Sequence, residues 1–205
     1  VHLDHGDSFE RCMEMLKIGF TSIMYDGSAY PVEENARRTE EVGKVCRAFG
    51  VPLEAEIGEL ARLDDQGRAM GCSNIADPEV VRQYLTLCRP DSLAIGIGNA
   101  HGFYKGPVDI RVEVLEECRK FTDIPFVLHG CTGMDEGLIR RAINAGVAKI
   151  NFGTQIRCQY VEYLKEGLVV GKDEGHAWKL SRFAEEKLRG DIRDIIRLAG
   201  SEGKA

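Results

Sequence analysis

Pro52-Leu53-Glu54-Ala55-Glu56-Ile57-Gly58 is the stretch that decides the fold. As an extended strand it puts Leu53, Ala55 and Ile57 on one face and Glu54 and Glu56 on the other. An open, doubly wound sheet covers both faces with apolar helices and has no place for two carboxylates. A barrel strand can aim Glu56 into a lumen that holds cations. The competing reading is an edge strand with one wet face; the barrel is favoured.

Outward from this strand, apolar runs of strand length alternate with helical patterns along the whole chain. The expected strands are Val1–Asp4, Ser22–Tyr25, Pro52–Ile57, Ser92–Ile97, Phe126–Leu128 and Lys149–Phe152. The expected helices lie near Ser8–Ile18, Val32–Phe49, Pro78–Cys88, Val112–Phe121, Asp135–Ala145, Gln155–Glu166 and Trp178–Ala199. Asp77-Pro78 has the cap and the N1 proline in helix-starting order, and Gly19, Gly50 and Gly146 follow helices as C-terminal caps. Repeated βα units predict a parallel sheet and an α/β fold. Six strands fall short of the eight in a (β/α)8 barrel. The expectation is therefore a TIM-type barrel with its N-terminal two units missing ahead of Val1, the chain being a fragment. No linker, repeat or low-complexity segment divides residues 1–205, so one domain is expected.

Composition narrows the class. The 205 residues are 43% hydrophobic and 29% charged, as in ordinary globular proteins, and the net charge of −6 offers no basic footprint for nucleic acid or an anionic membrane. No apolar run approaches the roughly 20 residues of a membrane span. An anionic substrate must therefore be held by local groups. The seven cysteines are scattered and odd in number, which reads as reduced thiols of a cytoplasmic protein. Most are expected to be small buried side chains, with Cys131, between Gly130 and Thr132, left open as a ligand-loop residue.

Three of the five histidines precede glycine and end apolar runs: Leu3-Asp4-His5-Gly6, Ile97-Gly98-Asn99-Ala100-His101-Gly102 and Val127-Leu128-His129-Gly130. Strand ends followed by loops are where an α/β barrel presents its chemistry. Three imidazoles meeting there, with an open fourth position, form the arrangement of a catalytic zinc. Adjacent side chains on a strand diverge, so the backbone must bend near Gly6 if Asp4 and His5 share a site. Gly130-Cys131-Thr132-Gly133 and Gly153-Thr154 lie in strand-to-helix loops whose amides suit a phosphate.

These segments, together with Tyr25-Asp26-Gly27-Ser28, Glu54-Ala55-Glu56-Ile57-Gly58 and Lys149-Ile150-Asn151-Phe152-Gly153-Thr154, resemble the zinc-dependent class II aldolases of the fructose- and tagatose-bisphosphate type. The resemblance runs from Val1 to the C-terminus. It implies a (β/α)8 barrel and reversible aldol cleavage of a ketose phosphate to dihydroxyacetone phosphate and an aldehyde. It makes His5, His101 and His129 the zinc ligands. Asp26 and Glu56 match carboxylates that can hold a second or displaced cation. Asp4 matches the proton donor, for which the competing role is orienting a histidine. Gly102, Lys105, the Gly130–Cys131–Thr132 loop and the loop Asn151, Phe152, Gly153, Thr154 match the substrate and phosphate site. The resemblance also implies a homo-oligomer, a dimer or tetramer, and a small-molecule substrate as the only other partner.

Two departures stand out. After Gly58 the family pattern has a Gly-Gly pair and a mobile glutamate, whereas this chain reads Glu59-Leu60-Ala61-Arg62-Leu63-Asp64-Asp65. Asp64 is the best match for the loop acid, one methylene shorter. The Asp-Pro-Arg segment common in bisphosphate-cleaving members is replaced by Asp173-Glu174-Gly175-His176, without a matching arginine, which favours substrates lacking a second phosphate. Competing functional readings are a non-catalytic aldolase-like subunit, a Schiff-base aldolase using Lys149, and a barrel metallohydrolase. The last lacks its usual His-x-His pair.

Overall fold

In the computed structural model the elements follow one another as β1 (His2–Gly6), α1 (Phe9–Lys17), β2 (Ser22–Tyr25), α2 (Val32–Phe49), β3 (Leu53–Ile57), β4 (Ala61–Leu63), β5 (Ala69–Met70), α3 (Pro78–Leu87), β6 (Ser92–Ile95), β7 (Ala100–His101), α4 (Val112–Arg119), β8 (Phe126–Leu128), α5 (Glu136–Asn144), β9 (Val147–Ile150), α6 (Thr154–Val169) and α7 (Ala177–Leu198). The structure describes residues 1–58, 75–102 and 109–204, and the backbone of 61–63 and 69–70.

Local chemistry sets the boundaries. Ser8 caps α1 by accepting the Arg11 N–H at 3.3 Å. Asp77 accepts the Glu79 N–H at 2.9 Å ahead of Pro78, and Asp135 accepts from Gly137 and Leu138. Gly50 ends α2 in the left-handed region at φ 66°.

Six strands form one parallel sheet in the order β1-β2-β3-β6-β8-β9. Each is joined to the next by a helix, the arrangement that parallel pairing requires. The sheet is curled into a half-barrel. Its two edge strands meet through side chains: Lys149 donates to His2 Nε2 at 3.1 Å, and Asn151 donates to Asp4 Oδ1 at 3.2 Å. Strand β3 lies between β2 and β6, and all five of its residues are buried. Leu53 packs with Cys46 and Val42 of α2, while Ala55 and Ile57 join Val81, Leu93 and Leu115 in the main core. The edge-strand reading is thereby overturned: both faces of β3 are dry, and the two glutamates face the inside of the curl.

Ser22–Tyr25 and Phe126–Leu128 fall as expected, and the other four strands of this sheet differ by one or two residues at an end. β1 extends to Gly6, and β9 starts at Val147 and stops at Ile150, leaving Asn151 and Phe152 in the loop beyond it. A second sheet was not foreseen. β4 pairs antiparallel with β5 and parallel with β7, with Arg62 in register with His101. These strands have two or three residues each, too few for any periodicity to register.

Candidate active site

The first histidine reaches the site through a bend. The β1–β2 register slips between Leu3 and Gly6, and His5 sits at φ 52°, in the left-handed region. A side chain there costs about 1–3 kcal/mol. The bend turns Asp4 and His5 to the same cavity, as the sequence required. Gly6 has no room for more: a Cβ would lie 2.6 Å from the Met24 carbonyl oxygen.

The second and third histidines are locked to each other. Gly130, at φ 64°, brings the turn after β8 so close to β7 that a Cβ would lie 2.3 Å from the Ala100 oxygen. Asn99, fully buried, accepts the Ile97 N–H at 3.0 Å and donates to the His129 carbonyl at 2.8 Å. The close approaches at Gly6 and Gly130 are the physical reason for a glycine after the histidine in two of the three segments.

The three rings converge. Centroids lie 5.0 Å apart for His5 and His101, 4.8 Å for His5 and His129, and 6.0 Å for His101 and His129. One nitrogen from each falls within 4.8 Å of the others, as does a second set from His5, Asp26 and Glu56. Ligand nitrogens around a tetrahedral zinc stand roughly 3.3 Å apart.

Hydrogen bonds assign the tautomers. The His5 Nδ1–H donates to Asp26 Oδ2 at 2.7 Å, so Nε2 carries the lone pair. That Nε2 is buried and has no hydrogen-bond partner, and the same holds for Glu56 Oε2. Buried polar atoms are almost always paired, so an orphaned atom on each of His5 and Glu56, two residues of one possible ligand group, fits a cation. The His129 Nε2–H donates to Glu54 Oε1 at 3.0 Å, which leaves its Nδ1 lone pair facing the histidine cluster, 3.4 Å from the Asn151 amide. A carboxylate behind an imidazole is the usual support of a metal-binding histidine.

The two glutamates of β3 differ in ionisation. Burial raises the Glu54 pKa, but hydrogen bonds from His129 and from Lys149, at 2.6 Å, outweigh it and hold the carboxyl below its ordinary range. Glu56 is pushed well above that range by burial, reinforced by the charges of Asp26 and Glu54. Burial also raises Asp26, yet its bonds with His5 and Ser28 bring the net shift downward. Burial lowers His5, but the bond and charge of Asp26, with Asp4 and Glu54 behind it, turn the net shift upward.

A cavity of about 250 Å³ opens beside the rings, lined by Asp4, His5, His101, Gly102, His129, Gly130, Thr132, Asn151, Gly153, Thr154 and Arg157. Most of the residues expected at the site are therefore brought together. Asp26 and Glu56 lie behind His5 rather than on the cavity wall. Cys131 and Phe152 line a different cavity, of about 350 Å³, against α7. The Cys131 thiol is buried, points to the Leu128 and His129 carbonyls, and is pushed up to about 12 by burial. Its side chain is thus packed away from the site cavity. Asp64 and Lys105 fall outside the described residues. Lys149 is held by Glu54 and donates to His2, contacts that tie its nitrogen into the scaffold. Three residues escaped the sequence reading: Asn99, Glu54 as the support of His129, and Arg157.

Residues 1–204 match the family model described as class-II fructose-bisphosphate aldolase. The chain is 36% identical over 205 residues to the fructose-bisphosphate aldolase of Geobacillus stearothermophilus, covering 100% of this chain and 71% of that one. Against the 6-phospho-5-dehydro-2-deoxy-D-gluconate aldolase of Bacillus velezensis it is 34% identical over 209 residues, covering 100% and 70%. The crystal structure of the YdjI aldolase from Escherichia coli K12 superposes with a TM-score of 0.81 at 30% identity, over 100% of this chain and 69% of that one.

Proposed function

We infer the activity from kinship: this chain belongs to the class-II fructose-bisphosphate aldolase family. The proposed reaction is metal-dependent, reversible aldol cleavage of a ketose phosphate to dihydroxyacetone phosphate and an aldehyde. The observation that carries it is the convergence of His5, His101 and His129 on a cavity that also holds Asp4. The half-barrel reads as six consecutive units of a (β/α)8 barrel. Cytoplasmic dimers or tetramers belong to the same proposal.

His5, His101 and His129 would hold the ion, with zinc suited to three neutral imidazoles, and Asp26 with Glu56 would take a second or displaced cation. When bound, the metal supplies Lewis-acid polarisation of a ketone oxygen. The protein's own groups do the rest. Asp26 and Glu54 fix which nitrogen His5 and His129 present. Asp4, steadied by Asn151, takes the hydroxyl proton at the carbon that becomes the aldehyde as the carbon–carbon bond breaks. The bonding electrons stay on the ketone-side carbon, which must then be protonated; Asp64 is the proposed acid for that step. Gly102, Lys105, Gly130–Thr132 and Asn151–Thr154 would seat the phosphate and the nearby hydroxyls.

The named substrates of the relatives differ in having two phosphates or one. Without an arginine in the 173–176 segment, this chain fits a substrate with a single phosphate. The test is cleavage of a panel of ketose phosphates, with metal analysis of the same sample. Activity should vanish with EDTA and return with zinc. In His129→Ala it should fall by at least about 10³-fold, the scale of a lost Lewis acid. Turnover that survives complete metal removal would sink the mechanism. Stoichiometric zinc without turnover on any ketose phosphate would establish the non-catalytic subunit instead.

A further inference from the structure

We propose that Asn35 is a positioning residue of the candidate metal centre: its amide sets the spacing between the turn that carries Asp26 and the strand end that carries Glu56. The proposal rests on the metal-site reading above and adds the group that holds the two carboxylates apart. Asn35 lies on the buried stripe of α2 with Thr39, Val42 and Cys46, at helical spacing, where apolar side chains are the rule. It is 2% exposed, and a buried amide is costly unless its atoms are bonded. The donor goes to one particular acceptor, the Glu56 carbonyl, at 2.9 Å. The amide oxygen accepts the Thr39 hydroxyl at 3.1 Å, and the Tyr84 hydroxyl stands 2.8 Å from that of Thr39.

Strand pairing explains why that carbonyl needs a side chain. The Leu53 and Ile57 carbonyls accept from Asp91 and Gly96, on the β6 side, so by alternation the Glu56 carbonyl faces β2. Pairing between β2 and β3 ends at Tyr25 opposite Ala55, one residue short of it. Beyond Tyr25 the chain turns away through Asp26-Gly27-Ser28, and the Asn35 amide takes the place of the strand donor that has gone. The same amide seats the turn. A Cβ on Gly27 would lie 2.3 Å from Asn35 Oδ1 and 2.8 Å from its Cγ. The φ of Gly27 is not positive, so its backbone does not demand glycine; the nearness of Asn35, with the Tyr25 ring at 2.9 Å, does. One side chain thus touches both elements without lining the site cavity itself. Asp26 Oδ2 lies 2.7 Å from His5 Nδ1, and Glu56 Oε2 lies 3.7 Å from the same nitrogen. A shift of either element therefore alters the ligand set directly.

The experiment titrates zinc by calorimetry, against a competing chelator, into the metal-free chain and its Asn35→Ala, Gly27→Ala and doubly substituted forms. Each single substitution should raise the zinc dissociation constant by about 10- to 100-fold, the scale for a group behind a metal ligand. The double substitution should lose no more than one of them, because removing the Asn35 amide vacates the space that a methyl on Gly27 needs. Val81→Ala, which opens a cavity in the core of α3, controls for folding: it should lower the melting temperature and leave zinc affinity unchanged. In turnover, Asn35→Ala should need proportionally more zinc to reach half its maximal rate, with the same KM for the ketose phosphate. A lowered melting temperature in Asn35→Ala with parental zinc affinity overturns the proposal. Losses that multiply in the double substitution overturn it too, since the two elements would then act separately. Should Asn35→Ala fail to fold, Gly27→Ala carries the test alone, and parental zinc affinity there overturns the proposal. If zinc affinity depends on Asn35 but no ketose phosphate is cleaved, the positioning role stands and the aldolase reading falls. If cleavage is normal and the zinc affinity of Asn35→Ala is unchanged, only the positioning role falls.

Discussion

Two layers of charge lie inside the half-barrel, two residues apart along β3, and they are built in opposite ways. Around Glu54 every group is matched: Lys149 and His129 each donate to it, and Lys149 also donates to His2, which in turn is bonded to Ser22. Around Glu56 the matching fails. Asp26 engages one nitrogen of His5, while His5 Nε2 and Glu56 Oε2 stay buried and unpartnered. A closed ionic network holds a scaffold in one arrangement. An open one keeps unsatisfied acceptors for something that has yet to arrive.

His129 belongs to both layers, so removing it should have the largest effect. His129→Ala should cost about 3–5 kcal/mol in urea unfolding, the scale of breaking a buried pair, and should abolish zinc retention as well. If stability is unchanged while zinc is lost, the two layers are independent. The metal itself comes next. Zinc at 100 times its dissociation constant should stabilise the parent by about 2.7 kcal/mol and leave His5→Ala unmoved. Lys149→Met should cost about 2 kcal/mol, below the full buried-pair scale because about a third of the lysine is exposed. Its zinc affinity should change by less than about tenfold, as expected for a group one step behind a ligand. A larger loss of zinc than of stability in Lys149→Met would merge the layers.

The smallest effect is the sharpest in sign. Glu54 has a folded pKa below its ordinary value of 4.5, so its contribution is present above that value and is lost as pH falls through the folded pKa. Glu56 has a folded pKa above 4.5. The folded state then holds a proton that the unfolded chain has released, so stability falls as pH rises from 4.5 to the folded pKa and levels off beyond it. In metal-free protein, Glu56→Gln should remove this decline, and a pH series of thermal melts reads it directly. A decline that persists in Glu56→Gln would assign it to another group.

Much of this contrast could be read before any coordinates. Alternation at Leu53–Ile57 separates the two glutamates from the core residues, and the His-Gly endings mark three loops of one rim. The resemblance to class II aldolases tied those loops together. What stayed hidden depended on partners far along the chain. Glu54 reads as a lumen acid, but Lys149, ninety-five positions away, decides that it is the satisfied one. Asn99 looks like a loop amide until the approach of β7 to the turn after β8 gives it the His129 carbonyl as a partner. Cys131 and Phe152 sit in the right motifs, yet the turn aims their side chains at α7. Arg157 resembles any helix-surface arginine until the fold sets it on the wall of the cavity.

The contact between Gly130 and Ala100 has a practical consequence for transplanting this chemistry. With no space for even a methyl group between the two turns, and with Asn99 bridging them, neither loop has a shape of its own to carry elsewhere. A designer grafting the histidine cluster onto another scaffold would have to move 97–102 and 128–132 as one cassette. Copying the three imidazoles alone would transfer the ligands and leave behind the joinery that aims them.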